Sequence, residues 1–87
     1  PPTSAKPDQI VERQRIQINL DAQGKASVDG QPVELAQIPD KLTAISDPQK
    51  KMTVVIAGDE QAGLQSLVSV LDALKLAGIA SAQIVTR

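Results

Sequence analysis

The sequence predicts an α+β domain in which two helices pack on one face of a mixed β-sheet. Three observations predict this class: an alternating polar and apolar segment begins at Arg15, a continuous apolar run occupies residues 52–57, and a helical stripe of leucines and valines follows that run. The predicted order of elements is ββαβαβ, a two-layer arrangement with a single core.

A flexible linker is predicted over residues 1–14, and a folded domain over residues 15–87. The first nine residues have prolines at positions 1, 2 and 7, small or polar residues elsewhere, and no large apolar residue. This composition is typical of an extended, solvated segment. We expect the linker to continue from a segment upstream of Pro1 that has been removed.

The first two strands are predicted to form a β-hairpin. Strict alternation places the apolar residues of the first strand on one face; they are Ile16, Ile18 and Leu20. Residues 21–24 and Asp29-Gly30 supply turn residues on either side of a second strand over residues 25–28. Residues 31–33 are expected to lead out of the hairpin.

The first helix is predicted to begin near Pro39 and to stop around Ser46. Proline is tolerated in the first turn of a helix, and Asp47-Pro48 disfavours continuation. The second helix should end at Gly78 and should turn one apolar stripe toward the core. The residues predicted for this stripe are Leu64, Leu67, Val68, Leu71 and Leu74.

The last two strands flank the second helix. Residues 52–57 are apolar throughout, which indicates a strand at the centre of the sheet, and Ile79 to Thr86 indicates a closing strand. Strand, helix and strand in this order form a crossover unit, so the two strands should be parallel.

Composition argues against several functions. The 87 residues include no aromatic residue and have a net charge of −1, which argues against nucleic-acid binding. The absence of His and Cys removes the usual acid-base group, thiolate chemistry and the common transition-metal ligands. We therefore expect no enzymatic activity, no catalytic residue, no metal and no cofactor.

Two charged pairs and one leucine are possible sites. Asp59-Glu60 is interpreted as a solvated turn and helix start instead of a proton or metal site. Lys50-Lys51 is interpreted as a solvated loop and not as a patch for peptidoglycan or an acidic partner. Leu76 falls on the polar face of the second helix, with Gln65, Ser69 and Asp72, and is a candidate for binding a partner.

Several motifs in order resemble the periplasmic domain of the ExbD/TolR family. They are Ile16-Gln-Ile-Asn-Leu-Asp-Ala-Gln-Gly-Lys25, Val28-Asp-Gly-Gln-Pro-Val33, Val54-Val-Ile-Ala-Gly-Asp59 and Val70-Leu-Asp-Ala-Leu-Lys-Leu-Ala-Gly78. The resemblance covers residues 15–87. Two positions depart from it: Ala57-Gly58-Asp59 stands where many members have Arg-Ala-Asp, and Leu64 stands where Tyr is frequent. Contacts made through that Arg or Tyr are not carried over.

The resemblance implies a periplasmic domain of a single-pass inner-membrane protein, with the anchor and its proton-handling carboxylate upstream of Pro1. Pro1-Pro2-Thr3 is similar to the segment that leaves the membrane, and this favours ExbD of the ExbB-ExbD-TonB system over TolR. The implied role is to couple the proton motive force to TonB-dependent uptake of siderophores, haem or vitamins across the outer membrane. The implied partners are TonB, ExbB through the membrane part, and a second copy in a homodimer.

Two alternatives stay open from the sequence. One is a TolR-type subunit of the Tol-Pal system that binds peptidoglycan, and the other is an unrelated small α/β ligand-binding domain. For the leading interpretation we expect an extended partner segment to add to an exposed sheet edge near the first strand or at the dimer junction. The candidate partner-binding residues are Pro1, Pro2, Thr3, Ile10, Val11 and Leu76.

Overall fold

The computed structural model describes residues 12–86, which form a five-stranded mixed β-sheet covered by two helices on one face. The strands are β1 (Arg13–Leu20), β2 (Ala26–Val28), β3 (Gln31–Val33), β4 (Lys51–Gly58) and β5 (Ser81–Thr86). The helices are α1 (Ile38–Ile45), preceded by a 3₁₀ turn at Leu35–Gln37, and α2 (Leu64–Leu76). The strand order across the sheet is β3-β2-β1-β4-β5. The predicted fold class is confirmed, with one strand more than predicted.

Short turns shape the β1-β2-β3 meander. The carboxylate of Asp21 accepts hydrogen bonds from the backbone N–H groups of Gln23 and Lys25, each 2.9 Å long, and so closes the first turn. Asp29 and Gly30 have φ angles of 49° and 88°, which form the two-residue turn favoured between antiparallel strands. β3 pairs with β2 but has only three residues, including Pro32, so its pattern indicated no strand.

β1 lies at the centre of the sheet and runs parallel to β4 over its full length, from the pair Arg13 and Lys51 to the pair Leu20 and Gly58. It begins two residues before the predicted start at Arg15. Lys51 is the first residue of β4, so the expectation that both lysines lie in a loop was wrong for Lys51. β5 pairs with β4 in parallel, as predicted.

Both helices end close to their predicted positions. α1 has Pro39 in its first turn and Ser46 as its C-cap residue. After α2, Gly78 has a φ of 76° and donates a hydrogen bond to the Lys75 carbonyl, while Ile79 donates to the Leu74 carbonyl. These two bonds form a Schellman motif, which satisfies carbonyl groups that the helix leaves free.

The core lies between the sheet and the helices. Its strand residues are Ile16, Ile18, Leu20, Ala26, Val28, Val54 and Ile56, and its helix residues are Ile38, Leu42, Val70, Ala73 and Leu74. We call the other side of the sheet the open face. Because side chains alternate along a strand, the open face carries Arg15, Gln17 and Asn19 from β1 and Thr53, Val55 and Ala57 from β4.

The predicted core stripe of α2 was wrong at three of its five positions. Leu64, Val68 and Leu71 are 75%, 41% and 37% exposed, respectively. Leu74 is buried and Leu67 is partly buried, as predicted, and the core face also includes Val70 and Ala73. The reason is that apolar residues surround much of the helix, so their spacing alone fits more than one face.

Within residues 12–86, neither helix has the length and apolar character required to cross a bilayer.

Candidate protein-binding surface

The β5 edge is the sheet edge best suited to receive another strand. β5 has six residues, contains no proline and no charged residue, and all six residues are exposed. One side of β5 pairs with β4, and among the described residues no strand lies on its other side. The opposite edge is β3, which is half as long and contains Pro32. Long edges without proline or charge are the ones that accept a further strand.

Each face of the β5 edge carries one large apolar side chain. Ile84 is opposite Ile56 and therefore lies on the helix-covered face, whereas Val85 is opposite Ala57 on the open face. Both side chains are 48% exposed. A strand added beside β5 would cover apolar area on both faces while it pairs with the free backbone groups.

A second exposed apolar feature is a stripe along α2. Leu64, Val68 and Leu71 are spaced by four and three residues, so they share one flank of the helix. α1 packs against the opposite flank, since Ser69 and Ala73 line a groove together with Leu35 and Pro39. The stripe therefore lies on the flank of α2 that is turned away from α1.

The third apolar feature is the groove between α2 and residues 35–39, about 350 Å³ in volume. Leu76 lies at this groove and is 80% exposed, so its predicted exposure is confirmed. Ser69 and Asp72 line the same groove, as their shared helical face predicted. A partner-binding role for Leu76 stays a prediction.

The other predicted partner-binding residues, Pro1, Pro2, Thr3, Ile10 and Val11, lie outside the described residues. Sequence reasoning missed Ile84, Val85 and the exposed stripe of α2. The signal for β5 was present, because residues 81–86 contain neither charge nor proline. What was missing was the strand order, which places this segment at an edge.

The acidic residues at the carboxyl ends of β1 and β4 stabilise turns. Asp59 donates its backbone N–H to the Leu20 carbonyl at 2.9 Å, and its carboxylate accepts from the Gln61 N–H at 2.9 Å. Asp59 lies in a turn before α2, and the first turn of the helix has no acidic residue. Across residues 12–86, no three acidic side chains come together in a group that could hold a metal ion.

Comparison with known proteins gives one family. The family model described as "Biopolymer transport protein ExbD/TolR" matches residues 1–87. Curated proteins give no match to the chain.

Proposed function

Because this chain belongs to the ExbD/TolR family of biopolymer transport proteins, we propose that it is the periplasmic domain of an ExbD-type subunit. Its role is to couple the proton motive force to TonB-dependent transport across the outer membrane, through protein contacts and without catalysis. Members of the family are transport subunits that are anchored in the inner membrane and work in complexes with other membrane proteins. Membership also removes the alternative of an unrelated ligand-binding domain.

The observation that carries the proposal is the exposed β5 edge, with Ile84 and Val85 on its two faces. In strand addition, backbone hydrogen bonds supply affinity and alternating side-chain contacts set the register. This mode of binding requires neither aromatic residues nor histidine, and the chain has neither. The β5 edge is thus the place proposed for an extended segment of TonB. The sequence had suggested an edge near Ile10 and Val11 or the dimer junction.

A second copy of the chain is the other proposed occupant of this edge. An isologous dimer that pairs two β5 edges would cover Ile84 and Val85 in both copies. Contact with ExbB is proposed to occur through the membrane anchor and not through this domain. Uptake of a siderophore, haem or a vitamin would follow from TonB coupling.

The choice of ExbD over TolR is based on the resemblance of Pro1-Pro2-Thr3 to the membrane exit segment. A TolR-type subunit would bind peptidoglycan. Co-sedimentation of the chain with isolated peptidoglycan separates the two roles, because an ExbD-type domain should stay in the supernatant. Sedimentation with peptidoglycan would favour the TolR role.

Titration of the isotopically labelled chain with a peptide from the periplasmic part of TonB tests the mode of binding. Chemical shift changes should be largest in β5 and in β4 beside it. Val85→Lys should weaken the binding. Leu76→Lys tests the separate prediction that Leu76 binds a partner: an unchanged affinity in this variant would confine the contact to the β5 edge. Shifts confined to α2, or none at millimolar peptide, would contradict binding at the edge.

A further inference from the structure

A group of three cations stands on the open face at the amino ends of β1 and β4. Arg13 and Lys51 are directly opposite each other in the parallel register. Arg15 follows Arg13 by two residues and therefore lies on the same face. All three residues are exposed. We call these three residues the basic patch.

Among residues 12–86, no carboxylate forms an ion pair with a residue of the basic patch. The ion pair at this end of the sheet joins Lys50 and Glu12, with 3.8 Å between Nζ and Oε2, and involves none of the three residues. Asp47 is also near this end; its carboxylate accepts a hydrogen bond from the Gln49 N–H and forms no ion pair with the three cations. Like charges directly opposite each other in a sheet repel, so the Arg13 and Lys51 pair opposes folding, and an anion bound beside the two side chains would relieve the repulsion.

Acidic side chains gather at the far end of the same two strands. Asp21 follows β1, and Asp59 and Glu60 follow β4. Lys25 lines a surface groove with Asp21 and Asp59 and offsets one of these three negative charges. Eight residues of extended strand span roughly 25 Å, so the sheet has a basic end and an acidic end separated by that distance. An anionic surface would attract the basic end and repel the acidic end, which gives the domain a preferred orientation.

The shape of the basic patch favours a flat partner. Its side chains project from one face of two paired strands, and the groove between α2 and residues 35–39 is lined by other residues. Arginine binds phosphate through paired N–H donors, and lysine binds it as a point charge. Phosphate groups arrayed on a surface meet all three cations at once without an enclosing pocket.

We propose that the basic patch docks this domain on the anionic phospholipid surface of the membrane that anchors it. The inference rests on the proposed function, because the membrane exit is proposed from the resemblance of Pro1-Pro2-Thr3 to the segment after the anchor, and β1 begins twelve residues beyond Pro1. Eleven residues span at most about 40 Å when fully extended. A tether of that length keeps the patch at a millimolar effective concentration near the surface, so weak contacts suffice.

Binding to lipid vesicles tests the proposal. The 87-residue chain is attached through an amino-terminal hexahistidine tag to nickel-chelating lipid, in vesicles of either phosphatidylglycerol with phosphatidylcholine or phosphatidylcholine alone. A gadolinium-labelled lipid reports which amides approach the surface. We expect broadening centred on residues 13–15 and 51 on the anionic vesicles, weaker broadening at residues 21 and 59, and loss of this pattern in high salt.

Matched double variants identify the residues responsible. For the untagged chain, Arg13→Gln with Lys51→Gln should lower the affinity for anionic vesicles about fivefold for each cation removed. Lys25→Gln with Lys41→Gln removes the same charge elsewhere and should change the affinity little. Equal effects of the two pairs, or the same broadening on neutral and anionic vesicles, would overturn the proposal. The proposal would also be overturned if millimolar inorganic phosphate caused saturable chemical shift changes at the same residues, since this would indicate a pocket for a free anion.

The vesicle experiment and the TonB titration fail independently. A chain that binds anionic vesicles through the basic patch but ignores the TonB peptide would contradict the proposed mode of partner binding and leave the docking intact. The reverse result would remove the docking alone.

Discussion

Gln14 of β1 and Asp47, which follows α1, are joined by a hydrogen bond of 2.8 Å from the Asp47 backbone N–H to the Gln14 side-chain oxygen. The Gln14 side-chain nitrogen also donates to the Ile45 carbonyl. One side chain thereby ties the end of α1 to the central strand: it satisfies the Ile45 carbonyl, which the helix end leaves free, and the N–H of Asp47 just beyond the helix.

Replacing this side chain should destabilise the domain. Gln14→Ala leaves two partly buried backbone groups without their partner, so we expect the free energy of unfolding to fall by ~1–3 kcal/mol. Urea unfolding followed by far-UV circular dichroism measures the change, since the chain has no aromatic residue to report by fluorescence. Gln17→Ala is the matched control on the open face, and a loss there as large as at Gln14 would refute the role assigned to Gln14.

Two leucines of α2 should respond differently to truncation. Leu74 is 3% exposed, so Leu74→Ala should lower the free energy of unfolding by ~2–5 kcal/mol. Leu71 is 37% exposed and leaves no closed cavity, so Leu71→Ala should cost about 1 kcal/mol. Thermal and chemical unfolding of both variants measure the two losses in the free energy of unfolding. A larger loss at Leu71 would restore the core stripe that the sequence predicted.

Reversing one charge of the basic patch should stabilise the fold. Lys51→Glu replaces repulsion across the strands by attraction to Arg13, which should raise the free energy of unfolding by ~0.2–1 kcal/mol at low salt. The gain should shrink in high salt because both side chains are exposed. In an Arg13→Gln background the same substitution should give a smaller gain. An equal gain in both backgrounds would show that the two residues do not interact.

Pairing of two copies should depend on β5. We expect a weak dimer in analytical ultracentrifugation at millimolar concentration, formed through the free side of β5. Ile84→Lys should shift the chain toward monomer, whereas Leu76→Lys should leave the equilibrium unchanged. Monomer alone in the unsubstituted chain, or an equal effect of the two variants, would exclude β5 as the site of self-association.

Local features of this protein follow from the sequence by itself. The turn at Asp29-Gly30 requires a positive φ at both positions, which Asp and Gly adopt more readily than most residues. Gly78 ends α2 because glycine adopts a positive φ without steric cost. Pro39 and Asp47-Pro48 set the limits of α1. The alternation in β1 and the apolar run in β4 identify two central strands, and these signals together predict the α+β class. Each signal depends on neighbouring residues alone, which explains why the sequence suffices.

The tertiary structure alone decided which surfaces are free. Periodicity could not choose the core face of α2, because that face is set by the position of α1 and the sheet. Nor did any local pattern place β5 at an edge or put Arg13 opposite Lys51, since strand order and register join residues far apart in sequence. Gln14 falls in the predicted linker because the alternating pattern begins at Arg15, and the two hydrogen bonds that fix Gln14 in the fold join residues more than thirty positions apart. Contacts of this range form only when the chain closes into its sheet, and they determine the edge, the exposed stripe and the basic patch.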